Sequence, residues 1–224
     1  MIPDVNGDDM SERKNYHHGD LRAALVEEAL VRVEREGGDA LSLRACARSL
    51  DVDPAAAYRH FRDKAQVLAA VSAVGFAQLS EAMREGLEGC DGATAQHARQ
   101  LPRAARRFLA TGEAYARFGL DHPNLYRLMF GERCEMAVIS QQEELGGVTP
   151  PYDYLRQTLD EALEADLIDE ACREGGELFA WSTMHGLVSL LLSGGSGIED
   201  GEARLLAVRR ACLNVLRGLG FTAS

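Results

Sequence analysis

The residues best equipped for chemistry lie in one short stretch. Between Ala40 and Lys64 stand five basic residues (Arg44, Arg48, Arg59, Arg62 and Lys64) against three acids (Asp51, Asp53 and Asp63). The chain as a whole carries a net charge of −11, so this stretch is a local basic exception. Tyr58 and His60 add a hydroxyl and a ring N–H. Guanidinium, ammonium, phenol and imidazole groups all donate hydrogen bonds to phosphate oxygens, so the chemistry on offer is grip on a nucleic-acid backbone. An acidic chain cannot be coated in positive charge for that task, and the basic surface must be confined to one place. The plain alternative is a helical hairpin with a solvated charged face.

Other chemistries find less support. No G-x-x-x-x-G-K-S/T loop, H-E-x-x-H pair or dinucleotide fingerprint occurs. Gly194-Gly195-Ser196-Gly197 resembles a nucleophile elbow, but Ile198 stands where the second glycine of G-x-S-x-G belongs. Carboxylates such as Asp160, Glu161 and Glu164 sit in solvated helical runs. An enzyme is therefore not expected. Cys46, Cys90, Cys134, Cys172 and Cys212 are scattered and form no C-x-x-C pair, which argues for reduced thiols and against zinc. His17-His18 alone supplies too few ligands for a metal. No metal or cofactor is expected. Met1 to Glu12 is polar and lacks the apolar core of a signal peptide. The longest apolar run, Gly186 to Leu192, is too short to span a bilayer. These features predict a cytoplasmic protein with no membrane partner.

The elements that position the basic stretch are helices. Apolar residues recur at helical spacing along nearly the whole chain, and the fold reads all-α. A first helix is expected from Gly19 to Glu36, ended by Gly37-Gly38. Ser42 caps a second over Leu43–Leu50. Asp53-Pro54 opens a third to about His60, with an N-cap acid followed by proline at the first helical position. Asp63 and Gln66 form a capping box for a long fourth helix. Its apolar stripe holds Leu68, Ser72, Gly75, Phe76, Leu79 and Met83, and Gly86 to Gly92 is expected to break it. Further helices are expected over Thr94–Leu120, from His122-Pro123 through Phe130, before Gly146-Gly147, from Pro150-Pro151 to Asp166, over Glu170–Leu192 and over Glu202–Leu219. The division predicted is a flexible segment 1–15, a helix-turn-helix head 16–62 and a larger C-terminal bundle 63–224, with the fourth helix bridging the last two. Two short helices on a longer one have the geometry of a helix-turn-helix, whose second short helix enters the major groove.

Leu41-Ser42-Leu43-Arg44-Ala45-Cys46-Ala47-Arg48, followed by Val52-Asp53-Pro54-Ala55-Ala56-Ala57-Tyr58-Arg59-His60-Phe61-Arg62-Asp63-Lys64, resembles the N-terminal domain of the TetR/AcrR family of transcription regulators. The match covers roughly residues 16 to 75. The resemblance implies a dimeric all-α protein, usually a repressor released from a palindromic double-stranded DNA operator by a small molecule. It implies that Ser42 and Arg44 meet the backbone near the start of the second helix. Ala55, Ala56 and Ala57 would lie on the recognition helix, where small side chains can pack on thymine methyls. Tyr58, His60 and Lys64 would grip phosphates, and Arg59 would reach a base edge or a phosphate. Asp51 stands where the family usually carries glycine, and aspartate tolerates the left-handed conformation that such a turn needs. Tyr16-His17-His18-Gly19-Asp20 would touch DNA as a short arm, cap the first helix, or do both.

Trp181-Ser182-Thr183-Met184-His185-Gly186, with His122 to Gly131, resembles the C-terminal domain called WHG in some TetR-like regulators. Trp181 and His185 are four apart and share a helix face. One reading is core packing around a satisfied histidine. The other is a polar group in an apolar effector pocket formed with Tyr115, Phe118, Tyr126, Met129, Phe130 and Met184. The last two long helices carry apolar faces: Leu178, Leu187, Leu190 and Leu191 on one, and Leu205, Leu206, Val208, Leu213 and Leu216 on the other. The resemblance implies that they pair across a two-fold axis in a homodimer. A helix-turn-helix regulator with no effector, constitutive or controlled by a protein partner, is the second functional reading.

Overall fold

The computed structural model describes residues 21–92, 101–131 and 147–221. The segment 1–15, the Tyr16-to-Asp20 arm and the helix expected before Gly146-Gly147 lie outside the described residues. Among the described residues there are ten α-helices and no strand. The chain divides into two compact units, residues 1–71 and 72–224.

The first unit holds α1 (Leu21–Glu36), α2 (Leu43–Ser49), α3 (Pro54–His60) and the start of α4 (Lys64–Gly92). α1 buries Leu25, Val26, Ala29 and Val33 along one face, and Gly37 ends it at φ 83. The Ser42 side chain accepts from Ala45 N at 3.4 Å and starts α2. α2 closes on a Schellman motif. Val52 N donates to Ala47 O at 3.0 Å and Asp51 N to Arg48 O at 3.1 Å. Asp51 takes the left-handed position at φ 57, as its chemistry permits. Asp53 Oδ1 then accepts from Ala55 N at 2.7 Å, with Pro54 at the first turn of α3. Asp63 Oδ1 accepts from Gln66 N at 2.9 Å and starts α4. The Gln66 side chain reaches back one residue further than an ordinary capping box and accepts from Arg62 N. Leu43, Cys46, Ala57, Phe61, Val67 and Val71 complete the core of this unit. The Arg22 guanidinium caps it, 5.1 Å from the centre of the Phe61 ring.

In the second unit α4 continues, followed by α5 (Arg103–Asp121), α6 (Pro123–Met129), α7 (Pro151–Glu164), the short α8 (Glu170–Arg173), α9 (Gly176–Leu192) and α10 (Gly201–Gly218). α5 is the central element and packs against α6, α7, α9 and α10. Three expectations fail here. α4 is not broken at Gly86 but runs on to Gly92. A Cβ on Gly86 would stand 3.2 Å from Ala114 Cβ and 3.3 Å from Ala110 O, so the bare backbone lets α4 approach α5. That packing outweighs the roughly 1 kcal/mol a helical glycine costs. The helix expected over Thr94–Leu120 is not continuous: α5 starts only at Arg103, because Pro102 sits at its N-cap at ψ 150 and disfavours helix in the residue before it. The helix expected over Glu170–Leu192 is two, α8 and α9, parted where Gly175 turns left-handed at φ 76.

Candidate nucleic-acid interface and internal cavity

The two short helices present one solvent face of the first unit. Ser42, Arg44, Ala55, Tyr58, Arg59 and His60 are exposed, and Ala56 and Lys64 are half-exposed. Arg44 on α2 stacks over the Tyr58 ring of α3 at 6.0 Å, so the cation and the phenol are held together across the turn. Lys64 Nζ donates to the Asp39 carbonyl at 2.5 Å, which ties the first turn of α4 to the loop after α1. An ammonium has three donors, so two remain for phosphate. Ala57 is the correction: it is wholly enclosed and packs the interior of the head, so it cannot touch a groove.

The second unit contains a cavity of about 60 Å³. Six aromatic rings line it: Phe76 from α4, Phe108 and Tyr115 from α5, Phe130 at the end of α6, Tyr152 from α7 and Trp181 from α9. Met83, Met184 and Cys212 supply sulfur, and Thr111 and Gly112 complete the α5 wall. The Thr111 hydroxyl donates its one proton to Arg107 O at 3.0 Å.

One edge of this cavity is polar. Tyr115 Oη lies 3.1 Å from Tyr126 Oη and 2.9 Å from His185 Nδ1, and Tyr126 Oη lies 2.7 Å from the same nitrogen. Burial pushes the Tyr115 phenol well above its usual range and the Tyr126 phenol up to about 12. Burial lowers the His185 imidazole. All three are therefore neutral near pH 7. His185, Tyr126 and Ser189 face a separate cleft on the outer side, which they line with Arg127, Phe130 and Leu192. The hydrogen-bonded cluster thus stands between an apolar cavity and a cleft of mixed polarity. Among the described residues no group of three His, Cys, Asp or Glu side chains is placed to hold a metal.

Of the residues singled out for a pocket, Tyr115, Phe130, Trp181 and Met184 line the cavity. Tyr126 and His185 line the cleft. Phe118 and Met129 line neither: Phe118 packs on the His122 ring at 5.0 Å, and Met129 fills the space beside Gly75.

Two family models match the chain. Residues 25–71 match the bacterial regulatory proteins of the tetR family, and residues 108–210 match the tetracyclin repressor-like C-terminal domain. The chain belongs to the TetR family. It is a DNA-binding transcription regulator with an all-α fold. A protein of unknown function from Rhodococcus sp. RHA1 shares 33% identity over 94% of this chain and 100% of its own, with a TM-score of 0.70. The TetR family transcriptional regulator PfmR from Thermus thermophilus is 19% identical over 87% of this chain and 98% of its own, with a TM-score of 0.58. A bacterial regulatory protein in the tetR family from Rhodococcus RHA1 is 18% identical over 89% and 97%, with a TM-score of 0.56. These last two share the fold. No curated protein matches.

Sequence reasoning missed most of this TetR protein's cavity wall. A signal was present on α5, where Phe108, Thr111, Gly112 and Tyr115 stand at i, i+3, i+4 and i+7 and so share one face. No such row joins Phe76, Tyr152 and Cys212, which come from three different helices.

Proposed function

We propose that this TetR regulator is a dimeric repressor that binds a palindromic operator in the cytoplasm and is released by a small molecule held in its C-terminal unit. The DNA half of this reading rests on one observation: Arg44 stacked on Tyr58 across the helix-turn-helix, with Arg59, His60 and Lys64 beside them. The functional division is a head of residues 16–62 on a ligand-binding and dimerisation part of residues 63–224. Trp181, His185 and Gly186 on α9 support a C-terminal part of the WHG type.

The dimer reading rests on one exposed face of α9 and α10. Leu190 and Leu206 are 52% and 50% exposed. Leu187, Gly186, Ala203, Ala207 and Ala211 lie in the groove with Leu190 and Leu206. Gly186 has nothing within 4 Å of where a Cβ would stand, which leaves its backbone open to a partner helix. Leu191, Val208 and Leu216, grouped with this face in the sequence, are buried in the unit's own core. A second copy of the chain is the proposed occupant, because an isologous contact between these two helices covers the apolar face on both copies at once.

Effector entry would move α4, which carries the head, and spread the two recognition helices. It releases DNA only if the effector prefers the spread state. The modest cavity volume also favours the second reading, a regulator with no effector.

Selection from a random duplex pool tests the DNA reading. An inverted repeat with half-sites at helical-turn spacing is expected. Tyr58→Phe with Lys64→Ala should weaken binding to all sequences and flatten the salt dependence. Unchanged binding would remove the assigned phosphate grip. Leu206→Glu should give a monomer in sedimentation that no longer holds the inverted repeat.

A further inference from the structure

We propose that the cavity takes a compact, uncharged, mainly apolar molecule with one hydrogen-bond acceptor, read by the Tyr115 hydroxyl. The proposal rests on the effector reading above and names the class of that effector.

Charge is excluded by the walls. None of the residues lining the cavity is ionised. Two carboxylates and two guanidiniums act on lining residues from outside, and all are already paired; Arg156, which acts on Tyr152 with Arg173, is bound by Asp153 at 2.7 Å. Glu113, which influences Cys212, is bound by Arg209 at 2.6 Å. Glu177, which influences Tyr152, is bound by Arg173 at 2.8 Å. An ion entering here would lose its hydration and meet no counter-charge, a cost of several kcal/mol or more. Neutral apolar surface meets six aromatic rings instead.

The acceptor is specified by proton accounting. With the His185 ring proton on Nε2, the tautomer that gives both buried phenol protons an acceptor within the cluster, Nδ1 offers one lone pair. Two phenols lie within hydrogen-bond distance of His185 Nδ1, so only one can donate to it well. Tyr126, at 2.7 Å, takes that place. Tyr115 then donates to the Tyr126 oxygen over the longest link of the cluster, 3.1 Å. The chain of donation therefore runs Tyr115, Tyr126, His185. Its longer link belongs to Tyr115, the one phenol of that chain of donation that lines the cavity. A ligand acceptor at that edge takes the Tyr115 proton at the expense of this link and leaves the Tyr126–His185 bond intact.

Size follows from the walls too. The cavity, about 60 Å³, is smaller than the roughly 150 Å³ void known to hold benzene. A single-ring guest must displace side chains, and Met83 and Met184 are unbranched and adaptable enough to yield.

Trp181 is the chain's single tryptophan and lines the cavity, so its emission reports on this site alone. The full chain is titrated with four probes of one ring size: cyclohexanone, methylcyclohexane, cyclohexanecarboxylate and cyclohexylammonium. Saturable change with cyclohexanone, a weaker one with methylcyclohexane and none with the two ions is expected. In Tyr115→Phe the cyclohexanone affinity should fall about three- to tenfold. Methylcyclohexane binding should be unchanged, which also shows that the variant is folded. The proposal is overturned if either ion binds as tightly as the ketone, if Tyr115→Phe binds the ketone like wild type, or if no neutral probe gives a saturable response. DNA release is read in parallel. Ketone binding that releases no DNA sustains the ligand class and removes the effector reading. Release by an ion, without the Trp181 response to neutral probes, does the reverse.

Discussion

Tyr126 Oη lies 2.7 Å from His185 Nδ1, and burial drives the two groups' acidities apart. The phenol is raised to about 12 and the imidazole is lowered from 6.5. The pair is therefore built for a neutral histidine beside a neutral phenol. Tyr115 from α5 and Tyr126 from α6 face the ring, and the Arg127 cation lines the same cleft. Because the folded imidazole binds its proton less readily than the unfolded one, the unfolded chain protonates first as pH falls. Stability is then lost as pH drops from about 6.5 towards the folded value. His185→Asn removes that titration while keeping an acceptor. The gap in Tm between wild type and variant should shift against wild type between pH 7.5 and 5.5. A gap that is constant with pH would show that His185 does not titrate differently on folding.

Cys212 fills the space beside Gly112. A Cβ on Gly112 would stand 2.5 Å from Cys212 Sγ and 3.6 Å from Met184 Cε. Gly112→Ala should cost about 1–3 kcal/mol in urea unfolding, because the thiol on α10 cannot retreat without disturbing its own packing. Cys212→Ala added to it should recover part of that loss, with a clear coupling energy in the double-mutant cycle. Additive effects would mean that the two helices adjust independently.

Asp51 holds the turn between α2 and α3 at φ 57. Asp51→Val should cost about 1–2 kcal/mol, since a β-branched residue is strained in the left-handed region. Asp51→Gly should unfold no earlier than wild type. By removing a negative charge beside the candidate interface, it should also bind duplex DNA modestly more tightly at low salt. Equal stability of the valine and glycine variants would argue against a strained turn.

Arg107 is nearly enclosed between α5 and α7 and meets Glu161 through two contacts, at 2.5 and 3.1 Å. The Glu161 side chain stays 24% exposed and also accepts from Gln157 at 2.9 Å. Glu161→Ala takes a bidentate carboxylate from a nearly enclosed cation and should cost about 1–3 kcal/mol, less than a fully buried pair because water reaches one side. Arg107→Met with Glu161→Leu should regain most of it. A double variant no better than the single would show that the ion pair itself, and not the weakened compensation of the buried cation, sets the stability.

Local signals were the legible ones. Ser42, Asp53-Pro54 and Asp63 each start a helix where their side chains can accept a backbone N–H, a property of two or three adjacent residues. Breaks and continuations were less legible. Gly86 reads as a stop until α5 is placed against it, and Glu174-Gly175 reads as helix until Gly175 turns left-handed. Ala57 could not be told from Ala55 and Ala56, because three identical side chains in a row carry no apolar pattern to separate inside from outside.

The sequence by itself determined the all-α class, the helix-turn-helix with its basic residues and the left-handed turn at Asp51, since each depends on composition, caps or near-neighbour spacing. Tertiary structure alone decided which rings enclose the cavity and which of two phenols faces it. It also separated the inward Leu191, Val208 and Leu216 from the outward Leu190 and Leu206. Those choices depend on how α4, α5, α6, α7, α9 and α10 rotate about their own axes when packed. That rotation is set by close contacts such as Gly86 on Ala114 and Gly112 on Cys212, between residues far apart in the chain.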